Sequence, residues 1–193
     1  MAHIEILAAL LAASMLIACG QAEPAEADPM AFENTKWLQT EEETEEALGI
    51  SLEGFEKTEE DGTVTYRDDS FEGTLPVSGS KPSEMTLLFV PVFPEEPNYL
   101  RRIGLSFTDE GEQEKFESFL TQVYGEPEER ILNPNVPETA YDAWEAEGEK
   151  ERVSIRRTSS GKDGREAFLI TYGWTDEYSA ELLKQAASGS GGE

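Results

Sequence analysis

From Ile6 to Ala18 the chain is apolar or small at every position except Ser14, and further along that continuous run gives way to short periodic stretches. Thr40 to Gly49 has the signals of a short helix. Thr40 stands as N-cap, Glu43 completes a capping box, acids fill the first turn, and Gly49 follows as C′ residue. Alternation of apolar and polar positions then predicts strands at Thr63–Tyr66, Phe71–Val77, Met85–Phe93 and Tyr99–Phe107, separated by turn-forming residues such as Asp61-Gly62. The period changes at Asp109. Phe116, Phe119, Leu120 and Val123 fall at i, i+3, i+4 and i+7, which places one apolar stripe on a helix, with Gly125 as αL cap and Pro127 blocking continuation. Strands resume at about Ala140–Glu147, Glu151–Thr158 and Arg165–Trp174. Thr175 or Asp176 caps a closing helix that carries Tyr178, Leu182 and Ala186 on one face.

This order predicts an α+β domain: an antiparallel sheet of about six to seven strands with two or three helices packed on one face. It also suggests two related halves, each a helix followed by three or four strands, although no residue-level repeat accompanies it. The domain is expected to span residues 35–187, with residues 188–193 as a Gly- and Ser-rich flexible tail.

The first apolar run is too short to cross a bilayer. Its 13 residues as a helix reach about 20 Å, against a hydrocarbon core of about 30 Å. Residues 1–18 therefore read as a signal peptide. Leu16-Ile17-Ala18-Cys19-Gly20 resembles the lipobox of bacterial lipoproteins. That resemblance implies cleavage between Ala18 and Cys19 and acylation of Cys19, which becomes the first residue of the mature chain. Residues 19–34 then serve as lipidated Cys and flexible tether, being small, polar and Pro-bearing at their start. The n-region departs from the family pattern, since it has no Lys or Arg and carries Glu5. Gly20 in place of Asp implies the periplasmic side of the outer membrane, with the inner membrane and the cell surface left open. The helix end Tyr124-Gly125-Glu126-Pro127 followed by the strand with Trp144 is similar to small uncharacterised envelope lipoproteins with sheet-and-helix domains. That likeness covers about a third of the chain and implies no activity.

Charge narrows the partners. Lys and Arg number 15 against 41 Asp and Glu, a net −26. Phosphate backbones and anionic lipid surfaces repel such a chain, so no nucleic-acid partner is expected, and the membrane link rests on the lipid. The acidity is uneven, with fourteen carboxylates and only Lys36 and Lys57 between Gly20 and Gly62.

Chemistry is scarce. The only histidine is His3 and the only cysteine is Cys19, so beyond the signal peptide there is no Ser-His-Asp or Cys-His system and no ordinary zinc ligand set. No catalytic residue, metal site or cofactor is predicted. Ser78–Lys81 and Ser159–Lys162 match a Ser-x-x-Lys spacing, but Pro82 and a hairpin turn keep them from opening a helix as that nucleophile requires. Glu145 and Glu147, beside Trp144, are the first carboxylates to consider for an alternative function as a carboxylate-dependent cell-wall glycan hydrolase.

Binding offers more. Ile103, Leu105 and Phe107 alternate with Arg102, Gly104 and Ser106, and Val153 and Ile155 alternate with Ser154 and Arg156. If the apolar sets face the helices, Arg102 and Arg156 emerge on the opposite face among small residues, a positive groove suited to a carboxylate or an acidic peptide. The competing expectation is that each Arg pairs with a cross-strand Glu. The chain is thus expected to be a lipid-anchored, non-enzymatic binding or adaptor module of the envelope, in one variant an inhibitor, with an unidentified protein partner.

Overall fold

The computed structural model describes residues 28–132, 140–160 and 165–189. The signal peptide, Ala18, Cys19 and the start of the tether lie outside the described residues. Among those described, no helix is long and apolar enough to cross a membrane.

One antiparallel sheet of eight strands carries three helices. Helix α1 (Glu41–Leu48) begins and ends as its caps dictate. The Thr40 N–H donates to Glu43 Oε2 at 2.8 Å, the Glu43 N–H donates back to Thr40 Oγ1 at 3.4 Å, and Gly49 takes φ +65°. Strands β1 (Glu56–Glu60) and β2 (Thr63–Asp68) form a hairpin on Asp61-Gly62, both at positive φ, the conformation that a two-residue turn of this twist needs. Strands β3 (Glu84–Pro91) and β4 (Asn98–Ser106) continue the meander. Helix α2 (Glu110–Tyr124) starts at Asp109, whose carboxylate accepts the Glu112 N–H at 2.9 Å. Then come β5 (Glu128–Ile131), β6 (Ala140–Glu147), β7 (Glu151–Ser160) and β8 (Arg165–Trp174), closed by α3 (Asp176–Gly189).

The strand order is β1-β2-β3-β4-β8-β7-β6-β5. Each half is a helix followed by a four-stranded meander, and the last strands of the two meanders, β4 and β8, pair antiparallel at the centre of the sheet. The suggestion of two halves is therefore met at the level of topology.

Alternation fixes which face is dry. Leu87, Ile103, Ile170, Ile155 and Trp144 face one another across five successive strands and are buried. Leu48 of α1 and Phe116 and Leu120 of α2 complete the same core. The Phe116 ring lies 4.9 Å from Phe168, 5.2 Å from Phe107 and 5.9 Å from Phe32, centroid to centroid, so α2 is fastened through an aromatic cluster.

Several expectations are corrected. There are eight strands because the two edge strands, β1 and β5, were not anticipated. Glu56–Glu60 is exposed at every position, and β5 reads Glu-Glu-Arg-Ile, so neither shows apolar alternation. Charge on an edge opposes pairing with a second sheet, which accounts for that composition. Phe71–Val77 is a loop, not a strand. Phe71 and Leu75 both enter the core four residues apart, and the chain doubles back as the Leu75 N–H donates to the Ser80 carbonyl at 2.8 Å. Gly125 has φ +85° and ψ −172°, a positive-φ conformation essentially confined to glycine but outside the αL well, so it is not an αL cap. The tether ends sooner than residue 34, because Phe32 and Glu33 are fully buried, with Phe32 against Phe116. Ser188 and Gly189, assigned to the flexible tail, belong to α3.

Candidate anion-binding site

On the sheet face opposite the core, cross-strand neighbours form two rows. Arg102 (β4), Thr171 (β8), Ser154 (β7) and Glu145 (β6) make one. Gly104, Leu169, Arg156 and Ala143 make the next. Arg102 and Arg156 thus stand on either side of β8 and line one groove of about 220 Å³, as the alternation of their strands implies.

Two further arginines join them. Arg101 arrives through a bulge: Leu88 faces Arg102 while Phe89 faces Leu100, which leaves Arg101 as an extra residue in β4. Without the bulge, strict alternation would turn Arg101 toward the core with Ile103. Arg152 lies two residues before Ser154 on β7 and so on the same face. The groove is lined by Arg101, Arg102, Arg152 and Arg156, with no carboxylate among its lining residues. Sequence reasoning missed Arg101 and Arg152. The signal for Arg101 was the three-residue spacing from Leu100 to Ile103 in a strand of period two, and parity with Arg156 was the signal for Arg152.

The four guanidinium groups are held differently. Arg101 is half-buried. It donates from Nη1 to the Tyr172 carbonyl, and its Cζ lies 5.3 Å from the centroid of the Trp37 ring, which in turn meets Trp174 edge-on at 5.7 Å. Gly173 permits that approach, since a Cβ there would sit 2.5 Å from Arg101 Nη1. Arg152 reaches Asp176 at 3.5 Å, an exposed contact of little energy. Arg156 has its Cζ 5.2 Å over the Tyr141 ring, and its Nε is buried without a hydrogen-bond partner among the described residues. Arg102 forms neither hydrogen bond nor ion pair among the described residues. Burial lowers the pKa of Arg101, and the neighbouring charges of Arg102 and Arg152 lower it further. Among the described residues the ion pair of this cluster is the exposed Arg152–Asp176 contact, so most of its positive charge is uncompensated.

Expected pairing with glutamate occurs at other arginines. Arg130 donates to Glu145 Oε1 at 2.7 Å and Oε2 at 2.9 Å. Arg157, on the helix-bearing face, is ringed by Glu117 at 3.1 Å, Glu166 at 3.3 Å and Asp142. Burial works to lower the pKa of Arg157, but these three carboxylates outweigh it, and the net direction is upward.

Among the described residues, the remaining motifs do not assemble into a second site. Trp144 is in the core, while Glu145 and Glu147 lie on the opposite face, and Glu145 is engaged by Arg130. Trp144 therefore offers no stacking surface beside these carboxylates. Ser78 sits in the loop after β2. Its N–H is held by the buried Glu33 carboxylate, and its Oγ accepts the Ser80 N–H at 3.2 Å. Gly161–Lys162 of the second Ser-x-x-Lys spacing lie outside the described residues. No group of three or more His, Cys, Asp or Glu among the described residues is arranged to hold a metal ion.

No family model, curated protein or solved structure matches the chain.

Proposed function

We propose that this chain is a lipid-anchored, non-enzymatic binding module of the bacterial envelope that captures an anionic ligand on the open face of its sheet. Acyl chains on Cys19 tether it to the outer membrane on the periplasmic side. An inhibitor-like mode, in which the groove engages an acidic group of an envelope partner, is a variant of the same reading. The observation that carries it is the convergence of four arginines in one groove without a lining carboxylate, in a chain with 41 acids and 15 bases. Neither Arg102 nor Arg156 has an ion-pair partner among the described residues, and charge-assisted, fork-like donors are what anions recruit. Absence of histidine after His3 favours binding over the familiar hydrolytic chemistries.

Ligand-linked stability tests it, because anything bound only by the folded state raises its melting temperature. Organic anions should raise the melting temperature of the full chain above that of a chloride control at equal ionic strength. The Arg102→Ala/Arg156→Ala double variant should lose that increment. Equal increments in both proteins, or turnover of peptidoglycan by the wild-type chain, contradict the reading. Growth with labelled palmitate should tag the wild-type protein and not the Cys19→Ala variant; a retained label contradicts the anchor.

A further inference from the structure

Resting on the anion-binding reading above, the geometry points to a specific ligand class: a small organic acid with one or two carboxylates on a short carbon stem. The first argument is size. The groove holds about 220 Å³, below the roughly 300–1,000 Å³ of drug-sized pockets.

The second argument is the donor set. The floor consists of strand faces, whose backbone N–H groups in this region belong to the β4–β8 and β8–β7 ladders. Donors toward a ligand therefore come from side chains: the forks of Arg102 and Arg156 from either side of β8, and the hydroxyl of Thr171 between them, the Ser154 hydroxyl donating to Glu145 Oε1 at 3.5 Å. Adjacent strands are about 4.8 Å apart and the two arginines are offset by two residues along β8, so they spring from backbones about 12 Å apart, and two long side chains can close on one anionic group above β8. Leu169, Tyr141 and Trp174 also line the groove. They are the smaller part of a mostly polar lining, and a short carbon stem attached to the anion would cover them where a free inorganic phosphate would not.

The third argument is the fence. Glu145 lies opposite Ser154, Glu147 opposite Arg152, and Asp176 beside Arg152, so carboxylates border the arginines on the β6 and α3 sides. A ligand with a long row of negative charges would lay them against that border, on a body of net −26. A ligand whose charge fits within the groove avoids this repulsion.

Titration of the full chain in non-ionic detergent, followed by amide chemical shifts, separates the outcomes. The probes are glutarate, inorganic phosphate and poly-L-glutamate at matched ionic strength. Glutarate should bind and poly-L-glutamate should bind more weakly per carboxylate. Arg102→Gln and Arg156→Gln should each weaken glutarate binding about tenfold or more, the scale of a lost charged hydrogen bond. Arg102→Lys, which keeps charge without the fork, should fall between. Unchanged melting temperatures of these variants in ligand-free buffer would show that the loss is not unfolding. Phosphate binding without glutarate binding, or tighter binding of poly-L-glutamate, would overturn the small-acid assignment and leave the anion-binding reading standing. If no probe binds in an Arg102- and Arg156-dependent manner, both fall.

Discussion

Arg156 and Arg157 follow one another on β7, and the pleat turns them to opposite faces of the same sheet. On the helix-bearing face, Arg157 links three elements by meeting Glu117 of α2, Asp142 of β6 and Glu166 of β8. On the open face, Arg156 has Ala143 and Leu169 as its cross-strand neighbours, and Arg101, Arg102 and Arg152 line the same groove. Positive neighbours and burial push the pKa of Arg101 down, whereas three carboxylates push that of Arg157 up. One arginine serves the fold through its charge. The others keep like charges together, a placement that self-repulsion disfavours and that a bound anion would relieve.

Substitutions on the two faces should therefore behave differently. The largest effect on stability is expected for Arg157→Ala, which strands three carboxylates beside the middle of α2. Loss of a fully buried pair costs roughly 3–5 kcal/mol. Because the Arg157 side chain is 31% exposed, about 2 kcal/mol is expected, or a melting temperature lower by about 4–8 °C in a domain of this size. A loss below about 0.5 kcal/mol would erase the distinction between the two arginines. Gly173→Ala comes next. Its new methyl group would collide with Arg101 Nη1 and displace it from Trp37 and the Tyr172 carbonyl, with a loss of about 1 kcal/mol, the scale of one hydrogen bond. Thermal unfolding measures it, and an unchanged melting temperature would mean that Arg101 is free to move. Arg102→Ala should lie within about ±0.5 kcal/mol of wild type in denaturant titration, since it removes repulsion and no ion pair. A larger destabilisation would give Arg102 a structural role.

The smallest effect concerns pH and a third kind of charge. Glu33 is fully buried, and its carboxylate accepts the Val77 N–H at 2.7 Å and the Ser78 N–H at 3.1 Å, without a cation. Burial raises its pKa, and these hydrogen bonds only partly oppose that. A carboxyl whose folded pKa lies above its unfolded value of 4.5 contributes stability that is fully present below the unfolded value and lost as pH rises through the folded one. Wild type should accordingly lose this increment on going from acid toward neutral pH, and Glu33→Gln should flatten that part of the profile. An identical pH profile in the two proteins would place the Glu33 carboxyl in water.

Much of this architecture was legible in the chain because the central strands and helices obey simple periodicities. The caps of α1 and the start of α2 lie where Thr40, Gly49 and Asp109 put them. Arg102 and Arg156 were legible as a pair because each shares a strand with buried aliphatic residues of opposite parity. The rest was hidden for physical reasons. Edge strands such as Glu56–Glu60 bury nothing, so they lack the pattern by which strands are recognised. Phe71 and Leu75 are apolar and close together, as in a strand, yet they serve a loop that dips into the core. Phe32 lies among tether-like residues, and only the tertiary pocket beside Phe116 reveals it as core. Arg101 required recognition of a bulge, which interrupts the alternation used to find its neighbour.

The central claim is that the unpaired arginines of the open face, and not the paired one behind them, form the ligand site. Amide chemical-shift mapping of the full chain during a glutarate titration tests it most directly. The account predicts saturable shifts concentrated at Arg102, Ser154, Leu169, Thr171 and Gly173, with Glu117 and Asp142 around Arg157 left in place. Shifts centred on the Arg157 cluster, or small unsaturated shifts scattered over the surface, would contradict it.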